Sequence, residues 1–294
     1  MRTLIVGCGY LGLALGKELA VQGHEVFGMR RTAVADGDLK SVGIAQLTGD
    51  ITKPQELARL PTDYDWVVNC VSSSRGTVDD YRAVYLEGTR SLIEWLSANP
   101  PGKFVYTSST SVYGQTDGSI VTELSPTEPL AETARILLDT EKVLSQPATQ
   151  NFPAVILRVA GIYGPGRGYW FKQFRRGEAS IEGKGERFLN MVHRDDVVGA
   201  TIAALEKGRP GQIYNVVDDE PVTQLRLFQW LATTLGKEMP PFLKSDERAE
   251  RKRGWTNKRI SNHKLKTELG YQFKYPTFRE GYTAADGGIP GLPS

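Results

Sequence analysis

Residues 2–12 read RTLIVGCGYLG. The apolar run RTLIV (2–6) has the β-branched, strand-like composition of a buried strand and stops at a glycine. Gly7, Cys8, Gly9, Tyr10, Leu11 and Gly12 then spell G-x-G-x-x-G, and LGLALGKELAVQG (11–23) continues as a helix. Strand, glycine turn and helix together are the context that makes this motif a dinucleotide fingerprint. The first glycine permits a tight turn, the second lets the backbone approach a pyrophosphate, and the third lets helix and strand pack closely. The helix start offers free N–H groups and a positive dipole end to phosphate. A glycine turn without a ligand is the bland alternative.

Working outward, further strands are expected at EVFGM (25–29), IAQL (44–47), WVVNC (66–70), KFVYTS (103–108), AVILRV (154–159) and QIYNVV (212–217). They are continuous apolar runs, as in strands buried on both faces. Helical stretches such as YRAVYLEGTRSLIEWLSA (81–98) lie between them. This alternation predicts an α/β protein, a Rossmann-type doubly wound parallel sheet. After residue 165 glycines and basic residues become frequent. The expected organisation is a dinucleotide-binding domain over 1–165 and a smaller substrate-binding region over 166–294. The strand at 212–217 is expected to return to the main sheet.

Charge is nearly balanced, 36 Lys+Arg against 34 Asp+Glu, so neither nucleic acid nor a membrane is an expected partner. No leader-like or spanning apolar stretch is visible, which predicts a cytoplasmic protein. Cys8 and Cys70 are the only cysteines, and no Cys/His spacing points to a metal. If the first and fourth strands are neighbours, the two thiols come close together beside the cofactor loop.

The second strand runs into Arg30-Arg31, where NAD-preferring sites usually carry an acid about 20 residues after the glycines. Two cations suit a 2′-phosphate, so NADP(H) is expected over NAD(H); a solvated strand end is the alternative. Asp50 and Ile51, ending the third strand, read either as an adenine contact or as a turn and cap.

Four later stretches carry a resemblance: TSSTSVYG (107–114), RVAGIYGPG (158–166), NMVHRDDV (190–197) and IYNV (213–216). In this order the chain resembles extended short-chain dehydrogenases/reductases, the NAD(P)-dependent epimerase/dehydratase group that includes nucleoside-diphosphate-sugar epimerases. The resemblance implies that Ser109 is the catalytic Ser/Thr and that Val71 and Ser72 touch the cofactor. It places Ala160 and Gly161 beside the nicotinamide, and Asn190 and His193 at the substrate rim. Tyr163 and Arg167 are further substrate candidates. Arg167, Lys172, Arg175, Arg176 and Arg187, among aromatics, suit a phosphorylated or nucleotide-linked small molecule. The run Arg248, Arg251, Lys252, Arg253, Lys258 and Arg259 reads as an exposed face.

One departure matters. The family pairs its Ser/Thr with Tyr-x-x-x-Lys at a helix start, where the lysine cation lowers the tyrosine pKa. In PLAETARILLDTEK (129–142) the corresponding positions hold Ala131 and Arg135, and none of the twelve tyrosines has a lysine four residues later. Tyr85 also stands where the family commonly has asparagine. Arg135 and Tyr113 are the substitute catalytic candidates, although arginine is a poor proton shuttle. The expected function is an NADP(H)-dependent oxidoreductase or epimerase acting on a polar substrate with non-standard proton transfer. The alternative is a catalytically silent NADP(H) sensor or scaffold. Family members often dimerise through paired helices, so a homodimer is expected.

Overall fold

The computed structural model describes residues 1–32, 37–73, 76–146, 152–243 and 255–284. Seven strands form one parallel sheet: β1 (Arg2–Val6), β2 (Glu25–Arg30), β3 (Ile44–Thr48), β4 (Trp66–Asn69), β5 (Lys103–Ser109), β6 (Ala154–Val159) and β7 (Ile213–Val216). Their order is β7-β6-β5-β4-β1-β2-β3. All seven expected strands are present, with ends shifted by one residue at most. The apolar runs explain the burial: every residue of β6 is buried, and Phe104, Val105 and Tyr106 of β5 are fully covered. Separate apolar clusters on the two faces, one around Ile5 and Leu15 and the other around Leu4 and Phe104, show that the sheet is covered on both sides.

The chain leaves β3 at one edge and re-enters beside β1 as β4. The carboxyl ends of β1 and β4 therefore diverge into a crevice, the switch point at which such sheets bind ligands. Helix α1 (Tyr10–Val21) starts there.

The expected helix over 81–98 is a composite: an α-helical turn Val78–Tyr81, a π-helical stretch Arg82–Glu87 and an α-helix Gly88–Leu96. Tyr85 lies in the π segment, buried, with its hydroxyl accepting from the Ser73 amide at 3.2 Å. Helix α2 (Glu132–Ser145) packs against that segment.

After β6 the chain builds a second core. Helices α3 (Tyr169–Arg176), α5 (Gln224–Leu235) and α6 (Phe278–Thr283) bury Phe171, Phe174, Leu227, Phe228, Phe278 and Tyr282 together. Helix α4 (Arg194–Lys207) instead packs on α1, and β7 pairs in parallel with β6 at the edge of the main sheet. The C-terminal region is thus threaded through the sheet domain rather than appended to it.

Candidate cofactor loop and substrate cleft

The three glycines of the loop do three different things. Gly7 has φ +85°, and a Cβ there would sit 2.7 Å from the Val71 backbone. The amides of Gly7 and Cys8 both donate to the Met29 carbonyl at 3.1 Å, which fixes the turn. A Cβ on Gly12 would stand 2.8 Å from the Gly7 carbonyl and 2.9 Å from Ile5 Cγ2, so this glycine sets how closely α1 approaches β1. At Gly9 the nearest neighbour of a Cβ would be 3.9 Å away. Space therefore remains at the position where a pyrophosphate must reach the backbone. Gly9 caps α1 without a side-chain bond, leaving the helix N–H groups to a ligand. These features fit a dinucleotide.

Positive charge gathers beside the loop. The Arg167 and Arg194 guanidiniums lie 5.1 and 5.3 Å from the centre of the Tyr10 ring. Arg30 folds back so that its Nε donates to the Cys8 carbonyl at 2.5 Å, while Arg31 is exposed. Val71 and Ser72 follow β4, Val71 with its backbone against Gly7. Asp50 behaves as a turn residue: its Oδ1 accepts from the Thr52 amide and hydroxyl at 2.9 and 2.8 Å. Ile51 is buried under Gly88. Both cysteines are free and buried. The Cys70 thiol points at the Val6 and Gly7 carbonyls, and burial holds both thiol pKa values above their ordinary range, with Arg30 opposing this at Cys8.

A cleft of about 670 Å³ opens at the carboxyl ends of β5 and β6. It brings together five expected residues: Ser109, Ala160, Gly161, Arg167 and Asn190. Ser109 ends β5 and caps the 3-10 turn Thr110–Val112, its Oγ accepting from the Ser111 amide at 3.2 Å. Capping and facing the cleft are compatible, because the hydroxyl proton has no acceptor among the described residues. Ser111 also lines the cleft, and its buried Oγ lacks a hydrogen-bond partner. Of the five cations expected together, Arg167 and Arg187 reach the cleft, and Arg187 lies over the Trp170 ring at 5.3 Å. Lys172, Arg175 and Arg176 are on the exposed side of α3, whose other face is the Phe171–Phe174 core stripe.

Four expected residues are placed elsewhere. Tyr113 is fully buried, its hydroxyl donating to Asn215 Oδ1 at 2.8 Å and accepting from Arg158 Nη1 at 2.9 Å. Burial raises its pKa, with Arg158 only partly opposing, which is the wrong direction for a proton-exchanging phenol. Tyr163 packs among Phe171, Tyr282 and His193 and donates to the Thr277 carbonyl at 3.4 Å; burial raises its pKa as well. His193 is fully buried, and its Nδ1 accepts from the Asp195 amide as the cap of α4. Arg135 projects from the exposed face of α2, donates to the Pro129 carbonyl at 3.3 Å, and lines a different surface groove with Gly114 and Lys142. At the start of α2, Glu132 and Arg135 are exposed, Thr133 and Ala134 are buried, and Ala131 caps the helix with no side-chain bond.

Lys258 corrects the reading of a solvated basic run. It is 4% exposed and lines the cleft, while Arg259 beside it is exposed. Residues 244–254, which hold the rest of that run, lie outside the described residues. The short strand Arg259–Ile260 pairs in parallel with Ile120–Val121, and alternation along it turns Lys258 and Ile260 inward. That alternation was the available signal. Among the described residues no helix is long and apolar enough to cross a membrane, and no cluster of metal-ligating side chains occurs.

YeeZ of Escherichia coli is 29% identical over 94% of this chain and 96% of its own length. A 3-diazoavenalumate denitrifying reductase of Streptomyces is 27% identical over 96% and 99%. The structure of UDP-glucuronic acid 4-epimerase from Bacillus cereus, in complex with UDP-glucuronic acid and NAD, superposes with TM-score 0.77 at 25% identity, covering 94% and 95%. The profile of the NAD dependent epimerase/dehydratase family matches residues 3–217, and with the glycine loop and cleft in place, the chain belongs to that family.

Proposed function

We propose that this protein is an NADP(H)-dependent reductase or epimerase of a polar, nucleotide-linked or phosphorylated small molecule, working in the cytoplasm. The observation that carries the reading is one cleft in which Ser111 Oγ lacks a partner and Ser109 Oγ, accepting from the Ser111 amide, keeps its proton to donate, next to Ala160 and Gly161. A silent sensor would be expected to line this place with apolar groups. Reductase and nucleotide-sugar relatives support the same chemistry. Gly7–Gly12 and the start of α1 would hold the pyrophosphate, with Arg31 near the adenosine ribose. The nicotinamide would supply or accept hydride. Ser109 would orient the substrate oxygen, and Arg167 and Arg187 would meet its anionic groups.

The test is a screen of carbonyl and sugar-nucleotide metabolites for NADPH oxidation or NADP⁺ reduction. Ser109→Ala is expected to lower kcat by roughly 100-fold with cofactor affinity unchanged, the size expected for losing one oxyanion-type donor. An unaffected rate would remove Ser109 from the chemistry. Cofactor preference is tested separately. Arg31→Ala is expected to weaken NADPH binding by about 10-fold, one charge-assisted contact, and to leave NADH nearly unchanged. Equal NADPH and NADH affinities in the parent would refute the preference.

A further inference from the structure

The cleft contains a cation that the family motif does not supply. We propose that Lys258 is the general acid–base of this site, its ammonium binding the substrate oxygen that Ser109 orients and exchanging a proton with it. The inference rests on the oxidoreductase reading above.

The segment carrying Lys258 is clamped from both sides. The Asn257 amide donates to the Gln115 carbonyl, the Gly118 amide donates to the Asn257 carbonyl, and Asn257 Oδ1 accepts from the Phe188 amide, each at 2.9 Å. Asn190 bonds this segment with both ends of its amide. Its Nδ2 donates to the Lys258 carbonyl and its Oδ1 accepts from the Ile260 amide, both at 2.9 Å. The ammonium itself donates to the Tyr113 carbonyl at 2.7 Å and to Thr256 Oγ1 at 3.0 Å. Tyr113 closes the turn that Ser109 opens, so Lys258 is anchored to the same loop that presents the serine. Two of its three N–H donors are used, and the third has no partner among the described residues.

Other charged groups facing the cleft are less suited to proton exchange. Arg167 and Arg187 stay protonated at working pH. Glu182 is paired with Arg187 at 3.6 Å, and Glu178 is exposed beside Arg176. Tyr169 is 65% exposed at the start of α3. The Arg259 guanidinium turns away to the Gly118 carbonyl, and the Tyr113 hydroxyl is held by Arg158 and Asn215. Burial, with Arg187 adding to it, lowers the Lys258 pKa to about 8. The group is then charged at neutral pH yet able to release its proton, a match that acid–base catalysis favours.

In the reductive direction, a carbonyl carbon would be reduced, gaining a C–H bond with the hydride given up by a bound reduced nicotinamide, whose own C–H bond would break as it is oxidised. The C=O π pair moves onto oxygen, and that oxygen takes a proton from Lys258 Nζ. A neutral amine remains, and solvent restores its proton. The oxidative direction runs these transfers backwards.

Three measurements decide it. First, Lys258 in the parent protein, followed by NMR of its side chain and assigned with Lys258→Met, should titrate near pH 8. A midpoint near the ordinary lysine value of about 10.4 overturns the proposal. Second, with a substrate found by the screen above, Lys258→Met should lower kcat by about 100- to 10,000-fold while NADPH affinity, read by fluorescence, stays unchanged. Third, the parent's reduction rate should fall as pH rises through about 8, and Lys258→Arg should keep the fold and lose this limb. A Lys258→Met rate within about threefold of the parent overturns the proposal alone, being far smaller than loss of an acid–base group. A parent that fails to bind either dinucleotide overturns the oxidoreductase reading and the proposal with it.

Discussion

Glu141→Ala is expected to lower unfolding stability by about 3–5 kcal/mol, the cost of stranding one member of a buried ion pair. Glu141 on α2 and Arg158 on β6 are both nearly covered, 3% and 4% exposed at their side chains. Arg158 donates through Nε to both carboxylate oxygens at 3.1 Å and through Nη2 to Oε2 at 2.7 Å. The Ser108 hydroxyl adds a bond to Oε1 at 2.6 Å, and Arg158 Nη1 reaches the Tyr113 hydroxyl. Removing the carboxylate leaves a guanidinium in the core with its partner gone. The pair also ties α2 to β6, which leads into Ala160, and through Ser108 to β5, which ends in Ser109, so the cleft should loosen with it. Urea denaturation of Glu141→Ala, and of Glu141→Met with Arg158→Met, is the check. The double variant should recover most of the loss, since apolar replacements of a buried pair are often neutral or better. A single-variant loss under about 1 kcal/mol would mean that the pair contributes no more than a surface bridge.

Gly7→Ala is expected to abolish cofactor binding at concentrations that saturate the parent. Two effects act together. The φ of +85° is one that side chains other than glycine rarely adopt, costing about 1–2 kcal/mol. The added methyl would also stand 2.7 Å from Val71 Cα and N, which are backbone atoms with no rotamer to change. The loop must therefore shift, and its amides leave the positions that meet the pyrophosphate. The readout is thermal. NADPH at roughly 100 times its Kd should stabilise the parent by about 2.7 kcal/mol and leave the variant's melting unchanged. Equal stabilisation would show that the glycine turn is not where the dinucleotide binds.

Much of the fold was legible because local chemistry carries it. Buried parallel strands need unbroken apolar runs, and AVILRV at 154–159 has no other comfortable place than the middle of a covered sheet. The glycine loop was legible for the same reason, since each of its roles is a local backbone demand. Ser109, Ala160, Gly161, Arg167 and Asn190, singled out from the sequence at strand ends or in the loops after them, line one cleft. The catalytic candidate Tyr113 and the substrate candidates Tyr163 and His193 lie close in sequence to the cleft residues, but each turns to the core, where a hydroxyl or ring nitrogen finds a partner. Arg135 follows the helix phase of α2, which puts it in solvent because Ile136 and Leu137 must be covered.

The sequence by itself determined the sheet, the dinucleotide loop and the family, because hydrophobic runs and glycine geometry are properties of neighbouring residues. Only the tertiary structure decided which cation enters the cleft. Lys258 is brought there by the ladder of the adjoining Arg259–Ile260 with Ile120–Val121 and by a clamp from Asn190, contacts between residues 68 to 139 positions apart in the chain. A lysine within a basic run is ordinarily solvated, and alternation alone separates it from Arg259 without saying which of the two faces inward. The pairing register does so, by turning one side chain inward and the other out.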